Sequence, residues 1–163
     1  MSDLTPAEVL KLVPQTAPAR FLDSILSVSK ERIVSRYTWK EEDCAGHFPG
    51  NPVVPGVKMV EMARQTGIVA WGIYFMGAKA SPESIATMVN LFTYVDRGSF
   101  KKMVRPGDTL ECRAQFGADG FFKDGKMAVE TEIVFVGGPK DGTQAFTGLV
   151  SGVWIPKESE KLK

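Results

Sequence analysis

The stretch HFPGNPVVPGVKMVEMARQTG, His47 to Gly67, decides how the rest of this chain is read. It contains the only histidine among 163 residues. Pro49, Pro52 and Pro55 fix the backbone around it and remove three N–H donors, which suits a rigid turn rather than a strand. After Pro55-Gly56 the chain stays helix-compatible to about Tyr74. Val57, Val60, Met62, Ala63, Ala70 and Trp71 supply apolar surface around much of that helix. At 100° per residue, Lys58, Glu61, Arg64 and Gln65 fall within about a third of a turn. A helix with an apolar circumference is built to be wrapped, so a polar stripe on it needs partners or a cavity. The stripe has two readings. In one it is a solvated face with Lys58, Glu61 and Arg64 paired at i, i+3 spacing. In the other Glu61 faces a reaction cavity.

Outward from this segment the chain reads as short elements of one architecture. Thr5-Pro6-Ala7-Glu8 has the form of a capping box with proline at the first helical position, predicting a helix from Pro6 to Leu12. Pro14 and Pro18 enforce an extended connection. Phe21 to Ser29 and Arg32 to Trp39 read as strands with Lys30-Glu31 at the turn. Ala86 to Met103 reads as extended, and Arg105-Pro106-Gly107-Asp108 as a turn. From Thr109 to Phe116 the residues alternate, with Leu110, Cys112, Ala114 and Phe116 on one face. Gly117 to Gly125 turns, and Met127, Val129, Ile133 and Phe135 mark a strand with one core face. Gly137 to Gly142 turns again, and Gln144 to Ile155 supplies the last strand. One long helix amid mostly antiparallel strands is α+β, with a sheet able to wrap the helix.

Composition narrows the function classes. Hydrophobic residues make up 44% and charged residues 24%, and the net charge is +1. These values fit one globular domain spanning residues 1–163, and argue against nucleic acid or a membrane surface as a general partner. Cys44 and Cys112 form no CxxC pattern, and with one histidine a zinc site is poorly supplied. Two unpaired thiols suit a reducing, cytoplasmic setting. MSDLTPAEVL lacks the basic and apolar blocks of a signal peptide, and no apolar run nears the ~20 residues needed to cross a bilayer.

His47-Phe48-Pro49-Gly50, Pro52, Pro55-Gly56-Val57, and then Glu61 and Gln65, together resemble the signature of the β-hydroxyacyl-acyl-carrier-protein dehydratases. Pro14-Gln15-x-x-Pro18 leading to Phe21-Leu22-Asp23 looks like that family's N-terminal entry. Phe100-Lys101-Lys102-Met103-Val104-Arg105-Pro106-Gly107-Asp108 looks like its "FRRPVxPGD" segment. The resemblance implies a hotdog fold, an antiparallel sheet around one central helix, and a lyase of fatty-acid or related acyl synthesis. It implies His47 and Glu61 as the catalytic pair, fourteen positions apart as in the family. It also implies a homodimer or trimer of dimers, each site joining His47 of one subunit to Glu61 of its neighbour.

The implied reaction removes water from a (3R)-3-hydroxyacyl thioester on an acyl carrier protein or CoA. It needs a base at C2, a group at the C3 hydroxyl, and donors for negative charge on the thioester oxygen. His47 suits the first task, since imidazole titrates near neutral pH. Glu61 suits the hydroxyl, either protonated as an acid or binding the leaving water. The free N–H groups at the helix start, Gly56 and Val57, suit the oxyanion, with Gln65 as a further substrate contact. No metal or organic cofactor is required. Met59, Met62 and Phe92 are candidates to line an acyl tunnel. Lys101, Lys102 and Arg105 are candidates to meet an acidic carrier protein; equally, they guard a solvated strand edge. Two features depart from the family pattern. Arg64 stands where alanine is common, and Lys58 where leucine is. A hotdog thioesterase and a non-catalytic acyl-carrier or acyl-CoA binding protein are the alternative readings.

Overall fold

The computed structural model describes residues 3–163. Helix α1 (Pro6–Leu12) starts where the sequence predicts, with the reciprocal Thr5–Glu8 capping box formed. Strands β1 (Ser24–Val28) and β2 (Ile33–Thr38) form a hairpin. A 3-10 turn (Glu41–Cys44) and the proline loop lead to α2 (Gly56–Arg64). The helix runs on through a π-helical stretch (Gln65–Ala70) into α3 (Trp71–Gly77), giving one central helix of 22 residues. A short α4 (Pro82–Ile85) precedes β3 (Met88–Phe100), β4 (Thr109–Gln115), β5 (Phe121–Lys123), β6 (Lys126–Val136) and β7 (Gln144–Pro156). The sequence reading passed over α4 and β5; each has only one turn or three residues, too little for periodicity to register.

The strands pair antiparallel in the order β1-β2-β4-β6-β7-β3, with β5 attached to β6. This is the α+β hotdog fold. The alternation expected in β4 holds, with Leu110, Cys112 and Ala114 buried and Arg113 and Gln115 exposed. Met127, Val129 and Ile133 of β6 and Phe146 and Val150 of β7 join them in the core. The helix reaches the sheet closely because Gly67 has no side chain. A Cβ there would sit 2.5 Å from Val129 Cγ2 and 3.2 Å from Ala114 Cβ. One residue earlier, Thr66 Oγ1 donates to Met62 O at 2.9 Å, so it accepts from Ser35 Oγ of β2 at 2.7 Å. That buried pair joins helix to strand where the helix widens, as inserted side-chain bonds do.

Both cysteines are unpaired and buried, and burial pushes the Cys112 thiol up to about 12. Among the described residues, no helix is long and apolar enough to cross a membrane. Strand β3 ends the sheet, and its 13 residues are mostly exposed, with Phe92, Tyr94, Val95 and Phe100 turned outward. An open edge carrying large apolar side chains is a surface that ordinarily meets another chain.

Candidate active site

The loop around His47 is held by its own backbone. His47 N donates to Cys44 O at 2.8 Å, and Val53 N donates to His47 O at 2.7 Å. Phe48 and Asn51 exchange backbone bonds at 3.1 and 3.0 Å, closing the turn between them. The His47 ring is 2.9 Å from Val53 O through Nδ1 and stacks on Phe48 with centroids 4.2 Å apart. A carbonyl oxygen only accepts, so Nδ1 carries the proton in the neutral ring. Nε2 is left with a free lone pair, the arrangement a general base needs.

The turn before His47 is clamped in the same way. Tyr37 Oη and Lys40 N both donate to Asp43 Oδ2, at 2.8 and 2.9 Å. Burial, and then this bond to Asp43, push the Tyr37 hydroxyl's pKa upward. Lys58 of α2 donates to Asp43 O at 2.7 Å, tying the helix to the start of the loop. This corrects the expected run of i, i+3 pairs, since Lys58 bonds the 3-10 turn and not Glu61. On the far side Arg105 Nη1 donates to Asn51 Oδ1 at 2.7 Å and to Pro52 O at 3.2 Å. Val54 N donates to Val104 O at 2.8 Å. Arg105, a candidate for the carrier surface, is therefore engaged in bracing the His47 loop. Lys101 and Lys102 are exposed beside it.

The helix start, expected to offer oxyanion donors, carries unengaged amides. Among the described residues, neither Gly56 N nor Val57 N has a hydrogen-bond partner, and the first engaged amide is Lys58 N, to Pro55 O at 2.9 Å. Val57 is 75% exposed, and the two unengaged amides stand at the positive end of a 22-residue helix. Phe100 from β3 lies over this point; a Cβ on Gly56 would sit 2.9 Å from its ring.

Glu61 lies on the same helix, and its polar stripe is not a solvated face. Arg64 Nε donates to Glu61 Oε2 at 2.8 Å and Arg64 Nη2 to Oε1 at 2.7 Å. Arg64 itself is buried, its Nη1 donating to Asn90 Oδ1 of β3 at 2.8 Å. Gln65 is fully buried, and its amide is spent within the chain. Its oxygen accepts from Phe21 N at 2.8 Å; its nitrogen donates to Ala19 O at 2.6 Å and Glu61 Oε1 at 2.9 Å. Within the chain Gln65 thus holds Glu61 in place, bridging it to the backbone of Ala19 and Phe21. Met59 and Met62 are core residues, not open tunnel walls, while Phe92 is exposed on β3. Sequence reasoning missed Asn90, a contact 26 residues from Arg64 with no local signal, and the Tyr37–Asp43 clamp, which spans only six residues but links a strand to a 3-10 turn outside any regular periodicity. Arg64 did have one, its i+3 spacing from Glu61.

The family model for the ApeI dehydratase matches residues 28–129. The 3-hydroxyacyl-[acyl-carrier-protein] dehydratase FabZ of Desulfotalea psychrophila is 35% identical over 146 residues, spanning 82% of this chain and 93% of its own. The chain belongs to the FabZ/ApeI-like dehydratase family. FabZ of Oenococcus oeni is 40% identical over 110 residues, which are 66% of this chain and 73% of that one. Among solved structures, the dehydratase heterocomplex ApeI:P from Xenorhabdus doucetiae superposes with a TM-score of 0.71 at 18% identity, covering 94% and 93% of the two chains. The thioesterase HI1161 of Haemophilus influenzae gives 0.63 at 13% identity, covering 98% and 96%. Those two likenesses speak for the fold alone. The hotdog carries dehydratases and thioesterases alike, so the family rests on the sequence matches and not on the shape.

Proposed function

We infer that this dehydratase-family chain is a hydro-lyase that reversibly eliminates water from 3-hydroxyacyl-[acyl-carrier-protein] thioesters. The observation that carries the mechanism is the His47 Nδ1–Val53 O bond, which leaves Nε2 as the free base on a loop held at both ends. His47 Nε2 takes the C2 proton. The electron pair moves toward the thioester oxygen, which the bare amides of Gly56 and Val57 receive. Glu61 meets the C3 hydroxyl. As the enolate collapses, the C3–O bond breaks, and the oxygen leaves as water with a proton supplied by the site. The products are the trans-2-enoyl thioester and water.

The site is shared between two copies in this reading. Strand β3 is an open edge with apolar side chains, and Phe48, Val57 and Phe100 are exposed around the loop and helix start. A cavity of about 550 Å³ lies between Arg32, Arg113, Glu130 and Thr147, away from His47 and Glu61. In this reading a second subunit laid along β3 completes a substrate channel near His47 and brings Glu61 of one copy to His47 of the other. Lys101 and Lys102, exposed on the segment next to the loop, suit an acidic carrier protein.

The test is to follow hydration of a trans-2-enoyl thioester, offered on a carrier protein and on CoA, while free thiol is measured in parallel. Reversible hydration without thiol release is expected, with the (3R) alcohol as product. His47→Ala should lower it by about 10²- to 10⁴-fold, the usual weight of a general base. Thiol release without hydration would make the protein a thioesterase. Binding with neither activity would make it an acyl-carrier binding protein.

A further inference from the structure

Glu61 is held more tightly than a proton donor should be. Arg64 presents two parallel N–H bonds to its two oxygens, and Gln65 Nε2 adds a third donor on Oε1. A carboxylate offers about four lone-pair sites. Three are filled here, and the remaining one is on Oε2. A proton on Oε1 or on the bonded side of Oε2 would face an N–H donor, and at any position it would leave a buried guanidinium without its anion, a costly arrangement. Arg64 cannot swing away easily, because its third nitrogen is anchored on Asn90 Oδ1 of β3 and its side chain is 9% exposed.

We propose that Arg64 is a positioning residue that fixes Glu61 as an acceptor-only carboxylate, so that His47 alone carries the proton from C2 to the departing oxygen. The inference rests on the dehydratase reading above and specifies its second half. His47 Nε2 gains the C2 proton, and the C2–H electron pair becomes the enolate. The C3 hydroxyl donates its own hydrogen to the free lone pair of Glu61 Oε2, which turns an oxygen lone pair toward the imidazolium. The imidazolium returns the proton to that oxygen as the C3–O bonding pair leaves with it. The enolate pair forms the C2=C3 bond, and neutral His47 and ionised Glu61 are both regenerated. No co-reactant is consumed.

Four variants test this on the full chain: Glu61→Gln, Arg64→Met, Arg64→Ala and the double variant Glu61→Gln/Arg64→Met. Melting curves and elution volumes matching the wild type establish that each is folded. Arg64→Met should lower kcat by about 10- to 100-fold, the scale of a misplaced catalytic group, with KM little changed. Arg64→Ala should regain activity with added guanidinium ion but not with ammonium at equal ionic strength, a response that lost packing alone does not give. Glu61→Gln should be severe alone, because it turns an NH₂ against the Arg64 fork. In the Arg64→Met background it should cost clearly less than alone, since the Arg64 fork is gone, glutamine keeps an accepting oxygen, and only Gln65 Nε2 still opposes the new NH₂. A loss in that background as large as in the wild-type background would make Glu61 a proton donor and overturn the proposal. So would wild-type kcat in both Arg64 variants. A wild-type protein inactive on every enoyl and 3-hydroxyacyl thioester is a different failure. It removes the dehydratase reading itself, and this inference with it.

Discussion

The two halves of the central helix are built on opposite principles. From Ile68 to Ile73 every residue is buried, and glycines at 67 and 72 let the helix lie against Val129 and Trp154. From Gly56 to Gln65 the same helix carries bare amides, an exposed Val57 and three long polar side chains engaged with neighbouring elements. The first half holds chemistry in place by hydrogen bonds and charge. The second half anchors mainly by contact density, with the Trp71 indole N–H donating to Ser29 O at 2.7 Å as a polar tie. A rigid anchor is what lets a short reactive segment be positioned to within a fraction of an ångström.

This division predicts that activity and stability separate by position along one helix. The largest effect is expected from Val57→Pro. The Val57 amide bonds nothing in the chain, and proline is tolerated in a first helical turn, so the fold should survive. Loss of one oxyanion donor should then cost about 10²- to 10³-fold in kcat, with an unchanged melting temperature. A variant that keeps wild-type kcat would remove the helix start from the mechanism. Gly67→Ala should do the reverse. Its methyl would be forced against Val129 and Ala114, and overpacking of this kind destabilises by about 1–3 kcal/mol. Denaturant unfolding should show that loss, while kcat per folded molecule stays near wild type.

A smaller effect falls on the loop that faces the reactive half. Tyr37→Phe removes one of the two donors to Asp43 Oδ2 and leaves the Lys40 amide in place. The expected cost is about 1 kcal/mol, the net worth of one such bond. Because Asp43 anchors the turn before His47, kcat should fall several-fold as well. An activity unchanged at lower stability would show that the clamp serves the fold alone.

Most of the fold, and the candidate reacting groups, could be picked out in the sequence, for reasons that differ by region. Leu110, Cys112 and Ala114 announce a strand because one face is buried and the other wet, and the Thr5–Glu8 box announces a helix start because its bonds span only three residues. His47 and Glu61 were singled out by the resemblance of the whole proline-rich segment and helix start to the dehydratase signature, since neither residue decides the matter alone. What escaped was the set of partners. Gln65 reads as a free amide until Phe21 and Ala19, over forty residues away, are placed beside it. Arg64 reads equally well as a surface cation until Asn90 closes over it. Lys58 was expected beside Glu61 and instead spans to Asp43, because the loop brings a bare carbonyl within reach. Such contacts depend on the tertiary fold, and no local pattern encodes them.

The smallest predicted effect tests the anchoring half from outside. Helix α1 packs its buried Val9 into the core near the end of the central helix, and its capping box holds that packing in register. Thr5 N and Thr5 Oγ1 donate to Glu8 Oε2 at 2.7 and 2.8 Å. These bonds, the backbone one first, hold the Glu8 carboxyl below the ordinary glutamate range. A depressed folded value means that the stabilisation is fully present above the unfolded pKa, about 4.3 for glutamate. It is lost as pH falls through the folded value. The melting temperature of wild type should therefore exceed that of Glu8→Gln at neutral pH, and the gap should close as the solution is acidified below about 4. Glu31, lowered in the same way by Ser29, is present in both proteins and drops out of the difference. The gap should leave kcat untouched at every pH where both proteins are folded, because α1 braces the half of the helix that only anchors. A gap that persists undiminished into acid would mean that the glutamate acts through packing and not through its charge.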